Sequence, residues 1–357
     1  MIPVTKPFLP NKEKLKSYID GIYDRGILTN YGPLVQELER RLQDRFDVDH
    51  VILVANGSMA LQVVYKVLEL EGEVVTTPFS FVATTSTMVW GGLKPVFADI
   101  DPATFNIDPD NIDSIISNRT SAIVPVHVFG NPCNVEAIES IAKKYQLKTI
   151  YDASHAFDVV YKGKSIFGCG DVSTISFHAT KLFHTIEGGA IVTRDAALAK
   201  KIRLATNFGF TGPGKIDALG INAKMNEFEA AMGLCVLDEV DHIANARKCI
   251  VETYELALEG KVGFQRFQAE TKKNFSYAPV LFSNSDRVFE VEQRLNESGI
   301  YPRRYFYPSL DCLSYLPGSP SCTVSRELSE KILCLPVYVG LTDGEQAKII
   351  KIIEDAL

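Results

Sequence analysis

Val172–Thr193 reads VSTISFHATKLFHTIEGGAIVT, and the rest of the chain is organised around this stretch. Val172–Phe177 and Gly189–Thr193 have the composition of two short β-strands. A polar turn joins them and holds Lys181, with Ser176, His178, Thr180 and His184 nearby. A lysine in such a turn reads two ways. It is a solvated surface residue, as most lysines are, or it is an amine kept in a partly desolvated site, where its pKa falls and it becomes nucleophilic. The flanking chain has to discriminate.

The 357 residues are 46% hydrophobic, enough for one large and one smaller domain. Lys and Arg number 37 against 44 Asp and Glu, a formal charge of −7 that argues against a nucleic-acid-binding face. The seven cysteines include no C-x-x-C pair and fit the reduced, buried cysteines of a cytoplasmic protein. The opening MIPVTKPFLPNKEK lacks the apolar core of a signal peptide. Val74–Leu93 is uncharged, but its five Thr, two Ser, two Gly and one Pro make it buried strand and loop rather than a membrane span. Neither membrane association nor a metal site is expected.

Along the chain, helices are expected at 11–26, from Pro33, at 59–68, 80–91, 109–117 and 135–145. Strands are expected at 51–55, 73–77, 95–100, 122–128 and 148–151. Such alternation predicts an α/β fold with a mostly parallel sheet covered on both faces, whose ligands bind beyond the carboxyl ends of the strands. Met225 to about Leu258 shows one long helical periodicity leading into a smaller α+β domain, with a strand at 275–282 and helices at 288–299 and 347–356. The predicted division is 1–235, with an N-terminal arm, and 236–357.

Four further features fall at predicted strand ends. Asn56-Gly57-Ser58 lies between a strand and a helix, where free N–H groups and a hydroxyl make an anion site or a plain N-cap. Asp152 ends the strand before it and either faces the ligand crevice or caps the next segment. His155 lies one helical turn beyond it. Phe81, after another strand end, either stacks on a planar ligand or joins the core. Ser176 also suits an anion. Together a phosphate cradle, a stacking ring, a buried carboxylate and an activated lysine match the needs of pyridoxal 5′-phosphate: a lysine to carry it, an Asp for the pyridinium nitrogen and a helix N-terminus for the phosphate. No G-x-x-x-x-G-K-[ST] loop is present, and no G-x-G-x-x-G follows the early strand, which excludes the P-loop and dinucleotide-binding alternatives.

The motifs ANGSMAL (55–61), TTPFSFVATTS (76–86), YDASHA (151–156), SFHATK (176–181), EGGAIVT (187–193) and GINAKMNEFEAAMG (220–233) resemble the DegT/DnrJ/EryC1/StrS family of nucleotide-sugar aminotransferases. The resemblance runs from Pro7 to LPVYVGLTDGE. It implies the aspartate-aminotransferase fold (fold type I), with a mostly parallel seven-stranded sheet and a smaller C-terminal domain. It implies that Lys181 carries pyridoxal 5′-phosphate, that Asp152 pairs with the ring nitrogen, and that His155 lies near the ring while Phe81 stacks on it. Gly57, Ser58, Ser176 and the Met59 N–H would hold the phosphate, and Asn222 would reach it from the second subunit of a homodimer. Ser58 replaces a commoner Thr, and Lys224 stands where Arg is frequent. Lys181 itself, present where one branch of the family has His, favours transamination over dehydration. The VTKPFLP start and the KLFHTIEGG turn point to transfer from L-glutamate to dTDP-4-keto-6-deoxyglucose, in making an amino sugar for a surface glycan such as O-antigen or lipopolysaccharide. A 3-keto or UDP-linked sugar and a non-catalytic regulator are the alternatives. Thr29, Asn30, Tyr31, His184, Arg303, Arg304 and Tyr305 are candidates for substrate contact, with surface solvation the alternative for each.

Overall fold

The computed structural model describes residues 1–316 and 321–357. Its centre is a seven-stranded sheet: β1 (His50–Val54), β2 (Glu73–Thr76), β3 (Lys94–Phe97), β4 (Thr120–Val124), β5 (Lys148–Asp152), β6 (Val172–Ser176) and β7 (Gly189–Thr193). The spatial order is β1-β7-β6-β5-β4-β2-β3. β7 runs antiparallel to both its neighbours, and the other pairings are parallel. The antiparallel strand is the second arm of the stretch that carries Lys181. The chain turns back through 177–188, and Gly189 pairs with Ser176.

Strand alternation explains why both sheet faces are covered. Val51 and Leu53 point into a cluster with helices α2 (Pro33–Phe46), α5 (Val135–Tyr145) and α7 (Glu227–Leu237). Ile52 and Val54 point the other way, to α3 (Gly57–Val67) and α6 (Ala196–Ala205). A strand buried on both sides has to be apolar along its length, which β1 is from Val51 to Val54 and β7 from Gly189 to Val192. Helices α1 (Lys12–Arg25) and α4 (Ala83–Trp90) complete this part of the chain.

A second apolar cluster gathers the end of helix α8 (Val240–Ala257) with α9 (Ser285–Glu297), α11 (Asp343–Glu354) and a three-stranded antiparallel sheet. Its strands are β8 (Gly263–Phe264), β9 (Pro279–Leu281) and β10 (Ile332–Cys334), with β9 central. Helix α10 (Thr323–Lys331) leads into β10. The N-terminus also packs here: Ile2 is in the cluster, and Ile2–Pro3 pairs with Ile300–Tyr301. Helix α8 links the two cores, with Val240 and Ile243 in the first and Ile250, Val251 and Tyr254 in the second.

Several expectations change. The single periodicity across 225–258 is two helices, broken at Asp238, whose carboxylate pairs with Lys14 and Arg41. Residues 109–117 form two 3-10 turns, Pro109–Asn111 and Asp113–Ile115, rather than a helix. Asp108 caps the first of them, a local side-chain bond that competes with helix extension. The strand expected over 275–282 is ordered as strand only at Pro279–Leu281. Helices α6 and α10 were not anticipated. Among the described residues, no helix is long and apolar enough to cross a membrane.

Candidate active site

The carboxyl ends of parallel strands meet the N-terminus of α3 at one edge of the sheet. Two glycines permit that contact. A Cβ on Gly57 would lie 2.9 Å from the Ser176 Cβ, and one on Gly189 would lie 2.7 Å from the Asn56 carbonyl carbon. Only backbone without side chains lets the helix start lie flush against β6 and β7. Ser58 is exposed and Ser176 half-buried, both at this corner, where a helix N-terminus favours an anion. The Met59 N–H is already used: it donates to the Asn56 Oδ1 at 2.9 Å. Asn56 is thus the N-cap, with Gly57 and Ser58 left facing the corner.

Asp152 ends β5 and is 5% exposed. The Thr84 hydroxyl donates to its Oδ2 at 2.7 Å and the Ser154 N–H to its Oδ1 at 3.1 Å. Thr84 lies 2.9 Å from the Ser80 hydroxyl. These donors fix the plane of the carboxylate in an enclosed setting where an unpartnered polar group would be costly.

The amine of Lys181 is enclosed, and desolvation pushes its pKa down to about 8 while the Asp152 carboxylate opposes that shift. An amine with that pKa has a neutral fraction near physiological pH far larger than an ordinary lysine's, and the neutral form is the nucleophile. The Nζ donates to the Tyr277 hydroxyl at 3.2 Å. Tyr277 was not singled out from the sequence, where it sits in an ordinary alternating run; nor was Thr84, although it lies inside a quoted motif.

His155 is buried beside them. Its Nδ1 accepts the Phe129 N–H at 3.3 Å, so a neutral ring carries its proton on Nε2. Burial and the Lys181 charge hold its pKa well below the ordinary histidine value. Its ring stacks on Phe306 at 5.5 Å and meets Tyr277 edge-on at 4.9 Å. His155, Ser176, Lys181 and Tyr277 line one small cavity.

Phe81 is 53% exposed, while Phe79 two residues earlier fills the core against Phe105, Phe129 and Phe306. Phe81 is therefore not a core residue. Tyr305 packs edge-on to Tyr277 at 5.9 Å, and the Arg303 guanidinium lies 5.3 Å from the Tyr305 ring. Arg304 does something else: its Nη2 donates to the Glu330 carbonyl at 3.1 Å, near the end of α10. His184 is turned inward. It is 2% exposed, its Nε2 lies 2.8 Å from the Phe8 carbonyl, and its Nδ1 accepts the Ile186 N–H, tying the N-terminal arm to the Lys181 turn.

The remaining candidates gather elsewhere, along the outer edge of β1, where Val54 bridges to Lys224. The Tyr31 hydroxyl donates to the Glu39 Oε2 at 2.9 Å, and Arg203 Nη2 donates to the same oxygen at 2.7 Å. Lys224 bonds the Asn207 side chain at 2.8 Å. Asn30, Tyr31, Asn207 and Lys224 line a cleft of about 200 Å³. Thr29 is exposed nearby in sequence, and Asn222 is exposed on a segment whose Ala223 carbonyl accepts the Ala55 N–H. Among the described residues, Asn222 has no hydrogen bond to Lys181, Asp152 or Ser176.

An enclosed amine, a fixed carboxylate and an anion-favouring helix start at one sheet edge define a site for transfer chemistry at an amine. The model of the DegT/DnrJ/EryC1/StrS aminotransferase family matches residues 10–354, and the chain belongs to that family. It is similar to the dTDP-4-amino-4,6-dideoxy-D-glucose transaminase of Shigella dysenteriae, at 41% identity over 99% of this chain and 98% of the relative. The Escherichia coli protein of the same name is 37% identical with the same coverage. The solved structure of DesI in the presence of its TDP-sugar product superposes with a TM-score of 0.94 at 33% identity, covering 99% of this chain and 93% of that one.

Proposed function

We propose that this aminotransferase moves an amino group from L-glutamate to dTDP-4-keto-6-deoxy-D-glucose, giving dTDP-4-amino-4,6-dideoxy-D-glucose, with pyridoxal 5′-phosphate as cofactor. The observation that carries the reading is the pairing of Lys181 and Asp152 in one enclosed crevice, in a chain alike along its length to transaminases with that product in their name.

The residues fit the cofactor. The corner that a Gly57 side chain would fill suits a phosphate, with Ser58 and Ser176 as hydroxyl donors. Bound there, the cofactor supplies an electron sink for a carbanion. Asp152, held by Thr84 and Ser154, keeps a proton on the ring nitrogen. Lys181 would carry the cofactor, and its free amine would take the proton from the donor Cα and deliver one to the sugar carbon. His155 and Phe81 flank the ring. Two substrates using one site in turn give ping-pong kinetics.

The chain is assigned to fold type I, with residues 1–235 forming the cofactor domain and 236–357 the second domain, and to the cytoplasm, where the nucleotide sugar would be made for a surface glycan. A second copy is part of the reading. Ile216, Leu219 and Ile221 are exposed beside Asn222, an apolar stretch suited to self-association. In a homodimer, Asn222 and the Tyr31 loop would serve the partner's Lys181. Arg303 and Tyr305 are assigned to the sugar nucleotide, where a guanidinium suits a pyrophosphate.

The purified protein should be yellow, and borohydride should fix the cofactor on Lys181. A colourless protein that takes up no cofactor would end the proposal.

A further inference from the structure

Tyr277 is held from several sides. Just before it, Phe275 takes a left-handed backbone with φ 56°, a conformation bulky residues rarely adopt and one that recurs at functional sites. The Asn274 side chain donates to the carbonyls of His155 at 2.8 Å and Phe157 at 2.9 Å, and it accepts the Ser276 N–H at 3.2 Å. Arg247, buried in α8, donates to the Ser276 carbonyl at 2.9 Å. The backbone on the N-terminal side of Tyr277 is thus fastened both to the loop that bears His155 and to the helix joining the two cores. The ring itself is wedged edge-on between His155 and Tyr305. A side chain fixed so firmly, with its hydroxyl on a reacting nitrogen, is placed for a purpose beyond filling space.

We propose that Tyr277 is a positioning residue for Lys181, holding its amine at the reaction centre whenever that amine is not bonded to cofactor. The inference rests on the reading of Lys181 as the reactive amine. Burial keeps the phenol neutral, although Arg247 favours its ionisation. A neutral phenol accepts a hydrogen bond from an ammonium and donates one to a free amine, so it holds Lys181 in both protonation states. That is what a lysine needs when it is displaced by the donor and must then carry a proton.

The charged and titratable groups around this pair leave Lys181 as the one that titrates near pH 8. Asp152 faces Lys181 and raises its pKa. His155 is kept neutral by burial. Arg247 is lowered only to about 10, and Tyr305 is raised to about 12. The Cys334 thiol, which also acts on Tyr277, is pushed up by burial.

The test is the pH dependence of Lys181 acetylation in the full chain freed of cofactor, followed by peptide mass spectrometry, in wild type and Tyr277→Phe. The wild-type midpoint should lie near 8. A hydrogen bond to a charged group is worth more than one to a neutral group, so losing the acceptor should lower the midpoint by about half to one pH unit. In the reconstituted variant, kcat should fall about 10- to 100-fold, KM for the sugar nucleotide should stay within about twofold, and thermal unfolding should be unchanged. An unmoved midpoint and kcat would overturn the inference. Failure of borohydride to fix cofactor at Lys181 in the wild type would instead remove the reading beneath it. If Tyr277→Phe does not fold, 3-fluorotyrosine at 277 keeps the ring and hydroxyl but makes a poorer acceptor; it should also lower the midpoint, and no shift there overturns the inference equally.

Discussion

Two polar regions of this chain have opposite character. Around Lys181 the reacting groups are enclosed, and each has a partner already in place: Thr84 and Ser154 on Asp152, Phe129 on His155, Tyr277 on Lys181. Tyr31 and Asn222 are exposed, and Tyr31 lines an open cleft at the sheet edge. The first region is organised by the packing of one chain, in the way catalytic groups are held by rigid elements and their neighbours. The second has a fixed base, with buried Glu39 bonded to the Leu53 N–H and to Arg203, but it presents its upper surface outward. In the proposed reading the enclosed region supplies the chemistry, and a second copy completes the binding at the open one.

The largest expected effect falls inside the enclosed region. Lys181→Ala should lose the visible absorbance and reduce turnover at least about a thousandfold with the fold intact. Full activity in that variant, measured alongside its circular dichroism, would remove the distinction between the regions. Asp152→Asn comes next, with an expected loss of about a hundredfold as ring protonation is no longer favoured; steady-state kinetics showing a normal rate would strip Asp152 of its role.

Mixed chains address the open region directly. Lys181→Ala and Asn222→Ala chains, each nearly inactive alone, should regain about a quarter of wild-type activity when randomly reassorted, because half of C2 dimers would then hold one intact site. No recovery in a mixture shown to contain heterodimers would mean that Asn222 serves its own chain.

The smallest effect concerns stability against pH. Burial lowers the pKa of His127 to about 3 and that of His155 well below the ordinary range, and His184 is lowered as well. The unfolded chain therefore binds more protons as pH falls through about 6.5, and stability should drop by about 1.4 kcal/mol per pH unit for each such histidine until its folded pKa is reached. Replacing His184, which binds the Phe8 carbonyl, should flatten the acid side of the curve measured by denaturant unfolding. An unchanged slope would show that its burial does not persist in solution.

How much of this was legible in the sequence differs by region too. The β-strands around Lys181 and the crevice at their ends follow from apolar runs ending in Asp152 and Ser176, since both are local signals. Tyr277 lies 96 residues from Lys181 and meets it only through tertiary packing. It lies in the strand expected over 275–282, but left-handed Phe275 and the side-chain bonds of the preceding Asn274 take the first part of that run out of the sheet. Helix α7 is buried on nearly every side, so its periodicity could not mark its end at Leu237. His184 looked available beside Lys181 because sequence adjacency does not show which way a ring turns. The residue types around Lys181 left its amine either solvated or enclosed, and they gave no sign of Tyr277 beside it.

The most direct measurement is the half-reaction. The yellow protein is treated with L-glutamate, the glutamate is removed, and dTDP-4-keto-6-deoxyglucose and its 3-keto isomer are offered separately while the visible spectrum is recorded. Bleaching by glutamate followed by return of the band with the 4-keto sugar alone is the expected result. Return with only the 3-keto sugar would contradict the proposed substrate and leave the class intact. A protein that glutamate cannot bleach would contradict the proposed amino donor.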